Sequence, residues 1–109
     1  MSTKIEVSII IPYYRKKLFF KETVDSIVLQ KFKKLEVIVI YDDTNLNELN
    51  FIKKILKKIK LKKIIINKKN LGPGISRNKG ISIAKGKFIA FCDADDVWKK
   101  NKLLNQLNF

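Results

Sequence analysis

The chain has 109 residues, 46% of them hydrophobic, and a formal net charge of +14 at pH 7. That length suits one domain with one modest core, and the apolar content argues against disorder. A single cysteine, Cys92, and the absence of histidine exclude an intrachain disulfide, a zinc cluster, a CxxC redox site and an imidazole general base.

VSIII, residues 7 to 11, is a β-branched run closed by Pro12 and reads as a buried strand. Phe20, Val24, Ile27 and Val28 then recur at the spacing of one helical face. LEVIVIY, residues 35 to 41, gives a second buried strand. Leu49, Ile52, Ile55, Leu56 and Ile59 trace another helical stripe, with Lys53, Lys54, Lys57 and Lys58 on its wet side. KKIIIN, residues 62 to 67, reads as a third strand, and the loop NLGPG follows. Pro73 suits the first turn of the next helix and Gly86 its stop. KFIAFC, residues 87 to 92, is the fourth strand, and the tail from Lys99 to Asn108 reads as a helix.

The order β-α-β-α-β-α-β-α predicts an α/β fold, a doubly wound, mostly parallel sheet with helices on both faces. In such sheets ligands bind beyond the carboxyl ends of the strands, near a switch in strand order. Three polar clusters fall at those ends: PYYRK after the first strand, DDTN after the second and DADD after the fourth. Their convergence in space is the central expectation.

Asp93, Asp95 and Asp96 would repel one another without a counter-charge. A hard divalent cation removes that repulsion, and carboxylate oxygens are the ligands that Mg²⁺ or Mn²⁺ prefers. Because Mg²⁺ usually shares phosphate oxygens, the cluster points to a phosphorylated ligand. The alternative is a solvated acidic turn, with Asp96 capping the last helix. Asp42 and Asp43 can accept hydrogen bonds from a ribose hydroxyl or a base N–H, or can simply form an Asx-type turn. Tyr13 and Tyr14 offer rings on which a base can stack, or serve only as packing. Arg77, early in the third helix, can answer a diphosphate charge.

Four motifs, taken together, resemble the amino-terminal, nucleotide-sugar-binding half of the family 2 glycosyltransferases, inverting enzymes of the Rossmann-like GT-A fold. They are VSIIIPYYRK, the segment QKFKKLEVIVIYDD ending at Asp43, NLGPGISRNKG from Asn70 to Gly80, and AKGKFIAFCDADDVW from Ala84 to Trp98. The resemblance implies a donor, most commonly a UDP-sugar in that family, whose sugar passes to a polysaccharide or lipid-linked acceptor in cell-surface glycan synthesis. It implies that Pro12, Tyr13 and Tyr14 line the base and that Asp43, or Asp42 if the register shifts by one, contacts it. Arg77 would lie near the diphosphate, Asp93 would face the ribose and sugar, and Asp95 of the DxD motif would hold Mn²⁺ or Mg²⁺. Two positions depart from the family pattern: Arg15 stands where many relatives carry asparagine, and DDTN where they carry DDGS.

In that family the general base is a carboxylate from the second half of the domain, which is expected beyond Phe109. Residues 1–109 are therefore expected to form one donor-binding domain, truncated at its C-terminus, with no catalytic base and little transfer activity of its own.

Two rival readings stand beside this one. The first is Mg²⁺-dependent phosphoryl transfer or a receiver-like domain, since DADDV fits a DxDxV pattern, although in this chain it follows the fourth strand and in such phosphatases the first. The second is a basic module for nucleic acid or anionic lipid. Arg15 and Arg77 are the only arginines among 24 cationic residues, and nucleic-acid binders favour arginine forks, so no nucleic-acid partner is expected. The lysines fit peripheral contact with an anionic membrane. With no apolar run long enough for a signal or a span, the expected location is the cytoplasm or the inner face of the cell membrane.

Overall fold

A computed structural model describes residues 4–107. Its elements are β1 (Val7–Tyr13), α1 (Lys17–Val28), β2 (Leu35–Tyr41), a single 3-10 turn (Leu46–Glu48), α2 (Leu49–Leu56), β3 (Lys62–Ile66), α3 (Pro73–Ile83), β4 (Phe88–Phe91) and α4 (Lys102–Leu107). The four strands form one parallel sheet in the order β3-β2-β1-β4. The chain therefore winds outward from β1 through β2 to β3, then returns to add β4 on the other side of β1. The switch in strand order lies between β1 and β4, and the acidic turn follows β4 directly.

Side chains alternate across the sheet. Val7, Ile9, Ile11 and Tyr13 of β1, with Val37, Val39 and Tyr41 of β2, bury one face against Phe20, Val24 and Ile27 of α1 and Ile52 and Leu56 of α2. Both predicted helical stripes thus point inward, and Lys53, Lys54, Lys57 and Lys58 are exposed as their spacing requires. On the opposite face α3 lies against β1 and β2, so close that a Cβ added at Gly80 would meet the Ile10 side chain at 2.5 Å. Helices cover both faces, as the chain order predicts.

Four expectations change, the first being that β1 runs through Pro12 to Tyr13 instead of closing there. Burial on both faces holds for the central strands only, because α3 alone cannot cover its side of four strands: Ile89 and Phe91 of β4 are 38% and 47% exposed there, and Phe88 on the other face is 43% exposed. The tail helix begins at Lys102 rather than Lys99, and the predicted end at Asn108 lies outside the described residues. Asp96 is consequently no helix cap: it sits in a turn well before α4, and its carboxylate accepts from the Asp93 amide. Among the described residues no helix is long and apolar enough to cross a membrane.

At the amino ends of the strands, a buried polar knot ties the α3–β4 turn to the sheet. Ser8 Oγ donates to Glu36 Oε2 at 2.6 Å, the Lys85 amide donates to the same oxygen at 2.8 Å, and the Gly86 amide donates to Ser8 Oγ at 2.8 Å. A Cβ at Gly86 would fall 2.6 Å from the Ser8 nitrogen, so only glycine permits this approach. Burial pushes the Glu36 carboxyl up, but the hydrogen bonds and the charge of Lys63 outweigh it and hold the group below the usual carboxylate range. A depressed carboxyl contributes stability that is present above the unfolded value, about 4.3, and is lost as pH falls through the folded value. Glu36→Gln is therefore expected to cost about 1–3 kcal/mol at neutral pH. In melts across pH, the gap between wild type and variant should close below about pH 4; a gap constant with pH would refute this.

Candidate functional site

A cleft of about 350 Å³ opens at the carboxyl ends of β1 and β4, beside the switch in strand order. Its lining holds Pro12, Tyr13, Tyr14, Asp42, Asp93 and Asp95, so the three polar clusters do converge. Lys16, Pro73 and Ala94 complete the wall. Asp43 and Arg77 are not among its lining residues, and each is paired to a neighbour, Asp43 to Arg15 and Arg77 to Asp93.

At the end of β1 the two tyrosines diverge, as successive residues of a strand must. Tyr13 is buried: its ring stacks on Tyr41 at 5.6 Å and meets Phe20 edge-on, and its hydroxyl donates to Glu48. Burial first, then the Glu48 carboxylate, pushes that hydroxyl far above its ordinary value. Tyr14 is 42% exposed and keeps a ring face available, with the Arg15 guanidinium 4.9 Å from its centroid. Arg15 itself has φ 51°, the only non-glycine residue in the left-handed region among the described residues. Asparagine enters that region more readily than arginine does. Here the cost to arginine is offset by an ion pair, Nε to Asp43 Oδ2 at 3.0 Å.

At the end of β2 the adjacent carboxylates face opposite ways. Asp42 Oδ1 accepts from Asn67 Nδ2 at 2.9 Å and from the Leu71 amide at 2.7 Å, while Oδ2 accepts from the Gly72 amide at 2.9 Å. Both its oxygens are thus committed to the β3–α3 loop. Asp43 accepts from the Asn45 amide as an Asx turn and from Arg15. Arg15, then the Asn45 amide, holds the Asp43 carboxyl below the usual range.

The acidic turn after β4 is anchored from behind. Thr23 Oγ1 donates to the Ala94 carbonyl, and the Trp98 amide donates to Ser26 Oγ, which fixes the turn to α1. Cys92 is buried beneath it, its thiol pushed up to about 12 by burial and the neighbouring aspartates, so it offers no nucleophile. Carboxylate oxygens of Asp93, Asp95 and Asp96 lie within 4.8 Å of one another, all three residues exposed. Arg77 Nη2 stands 3.4 Å from Asp93 and Lys16 Nζ 3.5 Å from Asp95. Clustered hard oxygen donors suit a divalent cation, and the two flanking cations suit a phosphate that such an ion would share.

Sequence reasoning missed Lys16, Asn67 and the Leu71 and Gly72 amides. The loop NLGPG carried a signal for the last two, since Gly72 has φ 88° and opens α3 just before Pro73. Asn67 carried none: its amide group bridges Asp42 and Ser76 while its oxygen accepts from Lys79. A larger hollow of about 910 Å³ lies between the acidic turn and α4, but of the three clusters it includes only Asp96.

Comparison with known proteins agrees with the fold. The family model Glycosyl transferase family 2 matches residues 8–109. The chain is 40% identical over 94% of its length to an Escherichia coli protein, UDP-Glc:alpha-D-GlcNAc-diphosphoundecaprenol beta-1,3-glucosyltransferase WfaP, and covers 40% of that protein. It is 39% identical over 95% of its length to a glycosyltransferase of Rickettsia felis, of which it covers 17%. Among solved structures, S. aureus TarS in complex with UDP-GlcNAc superposes with a TM-score of 0.84 at 31% identity, over 94% of this chain and 30% of that one. The chain thus spans well under half the length of these relatives.

Proposed function

The chain belongs to glycosyl transferase family 2, and on that premise we propose that it is the donor-binding part of an enzyme that takes a UDP-sugar and transfers the sugar to a glycan or lipid-linked acceptor. The observation that carries this reading is the acidic turn beside the strand-order switch, flanked by Lys16 and Arg77. Carboxylates for a metal and cations for a diphosphate meet there in one cleft.

In this reading Tyr14 stacks on the base. Asp43 accepts its N–H on Oδ2 in place of Arg15, an exposed side chain free to move away, whereas both oxygens of Asp42 are held by Asn67 and two backbone amides of its own loop. Arg77 turns from Asp93 to the diphosphate, leaving Asp93 for the ribose and sugar. Asp95 holds Mn²⁺ or Mg²⁺, which when bound acts as a Lewis acid on the leaving nucleoside diphosphate. The displacement inverts the anomeric carbon and needs a base on the acceptor hydroxyl. Glu36 is held at the far end of the sheet, Glu48 on Tyr13 and Asp25 between two lysines, and none of these, nor Glu6 or Glu22, lines the cleft. We accordingly place the base outside residues 1–109 and expect these residues alone to transfer little sugar.

The test is a thermal-shift screen of UDP, GDP, CDP and dTDP with and without Mn²⁺. At about a hundred times its Kd, UDP with metal contributes about 2.7 kcal/mol, which raises the melting temperature of a domain this size by roughly 10 °C. If none of the four nucleotides gives a metal-dependent shift, the donor reading fails.

A further inference from the structure

The two ends of the sheet differ in charge. The carboxyl end carries the aspartates of the cleft and both arginines, whereas the amino end gathers lysines from three separate turns: Lys33 and Lys34 before β2, Lys58 and Lys60 after α2, Lys85 and Lys87 before β4. Against them stand Glu6, Asp25 and the buried Glu36.

Within that basic end a second cleft, of about 370 Å³, opens between the end of α1, the start of β2 and the α2–β3 turn. Its walls are apolar, formed by Ile27, Leu35 and Leu61, and its rim is formed by Lys33, Lys58 and Lys60. Lys33 Nζ donates to the Val28 carbonyl at 2.7 Å and Lys58 Nζ to Asp25 at 2.6 Å, which holds both ammonium groups in place. Each retains further N–H donors, and Lys60 has no ion-pair partner among the described residues.

We propose that this lysine-rimmed cleft docks the protein on an anionic phospholipid surface, the lipid phosphate at the rim and the glyceride carbons against the apolar walls. Amphiphilic complementarity distinguishes this from general attraction, since a soluble polyanion has no use for the walls. Nucleic acid fits less well: the arginines lie at the opposite end, and no aromatic side chain lines the cleft for a base to stack on. The proposal is independent of what the donor cleft binds.

The test is flotation of the chain with phosphatidylcholine vesicles, with and without about one-third phosphatidylglycerol, at low ionic strength. Binding is expected only to the anionic vesicles. Lys33→Glu with Lys60→Glu should weaken it about tenfold or more, whereas Lys53→Glu with Lys54→Glu, the same charge change on the outer face of α2, should weaken it less than about threefold. All four lysines are exposed, and melting curves verify that both double variants fold. Equal losses in the two variants, binding to neutral vesicles alone, or no vesicle binding would each overturn the proposal. So would displacement by millimolar glycerol phosphate, which would mark a site for a soluble phosphate, or RNA binding that depends on Lys33 and Lys60 without vesicle binding.

Discussion

Replacing Asp95 by asparagine is expected to abolish metal-dependent UDP binding while leaving the fold untouched. The Asp95 side chain is 42% exposed, and its one ion pair, with Lys16, is also exposed, so the stability change should stay within about 0.5 kcal/mol. Binding is a different matter. Asparagine keeps the shape but removes the charge a divalent cation needs, and since even outer partners of metal ligands cost 10–100-fold when lost, a direct ligand should cost at least about a hundredfold. Asp96→Asn is the matched control: the same turn, the same charge change and no assigned ligand role, with an expected effect of under about tenfold. Calorimetry of UDP with Mn²⁺ on both variants decides the matter. If Asp95→Asn binds UDP with undiminished metal dependence, the acidic turn is a solvated turn and nothing more.

Asp42→Ala should show the opposite pattern, a large loss of stability that carries binding with it. It would strip the acceptor from Asn67 Nδ2 and from the Leu71 and Gly72 amides, all in the loop that starts α3. Unsatisfied buried donors cost about 1–3 kcal/mol each, and such losses within one network are less than additive, so about 3–5 kcal/mol is expected in urea melts. That loop also places Pro73 in the cleft wall and Arg77 one turn further along α3. Binding should therefore fall even where the variant remains folded. Asp43→Ala, by contrast, loses one Asx-turn acceptor and an exposed-arginine pair, so stability should drop by about 1 kcal/mol while UDP binding drops strongly. Equal stability losses in the two variants would contradict the division of labour between these neighbours.

That division was hidden in the sequence. Two identical side chains in succession carry no label, and only the alternation of the strand, continued past Tyr41, sends Asp42 toward α3 and Asp43 toward Arg15. By contrast, the central strands were plain, because VSIII and LEVIVIY are apolar at all but one position each, the exceptions being Ser8 and Glu36, which pair with each other. The stripe from Leu49 to Ile59 was equally plain. Edge exposure was not, since Phe88 and Phe91 read the same whether a helix covers them or not. The start of α4 escaped for a related reason: nothing between Val97 and Asn101 forbids a helix, and the hydrogen bonds from Gln30 to Lys99 and from Lys31 to Lys100 engage that stretch from outside. The resemblance between residues 5 and 98 identified the family and gathered the cleft residues, but it could not say which side chains were already engaged.

The pairing of β1 with β4 also sets an order of assembly. Val7 meets Phe88 and Ile10 meets Phe91, so one edge of the central strand is closed by a segment from the far end of the chain. Pairs so distant in sequence form late, after the nearer β1–β2 and β2–β3 pairs have paid for their own loop closures. Until then three strands stand with β1 bare along its most apolar stretch, the template on which a neighbouring copy can add a strand. Refolding is thus a race between an intramolecular strand and an intermolecular one, and dilution favours the native sheet.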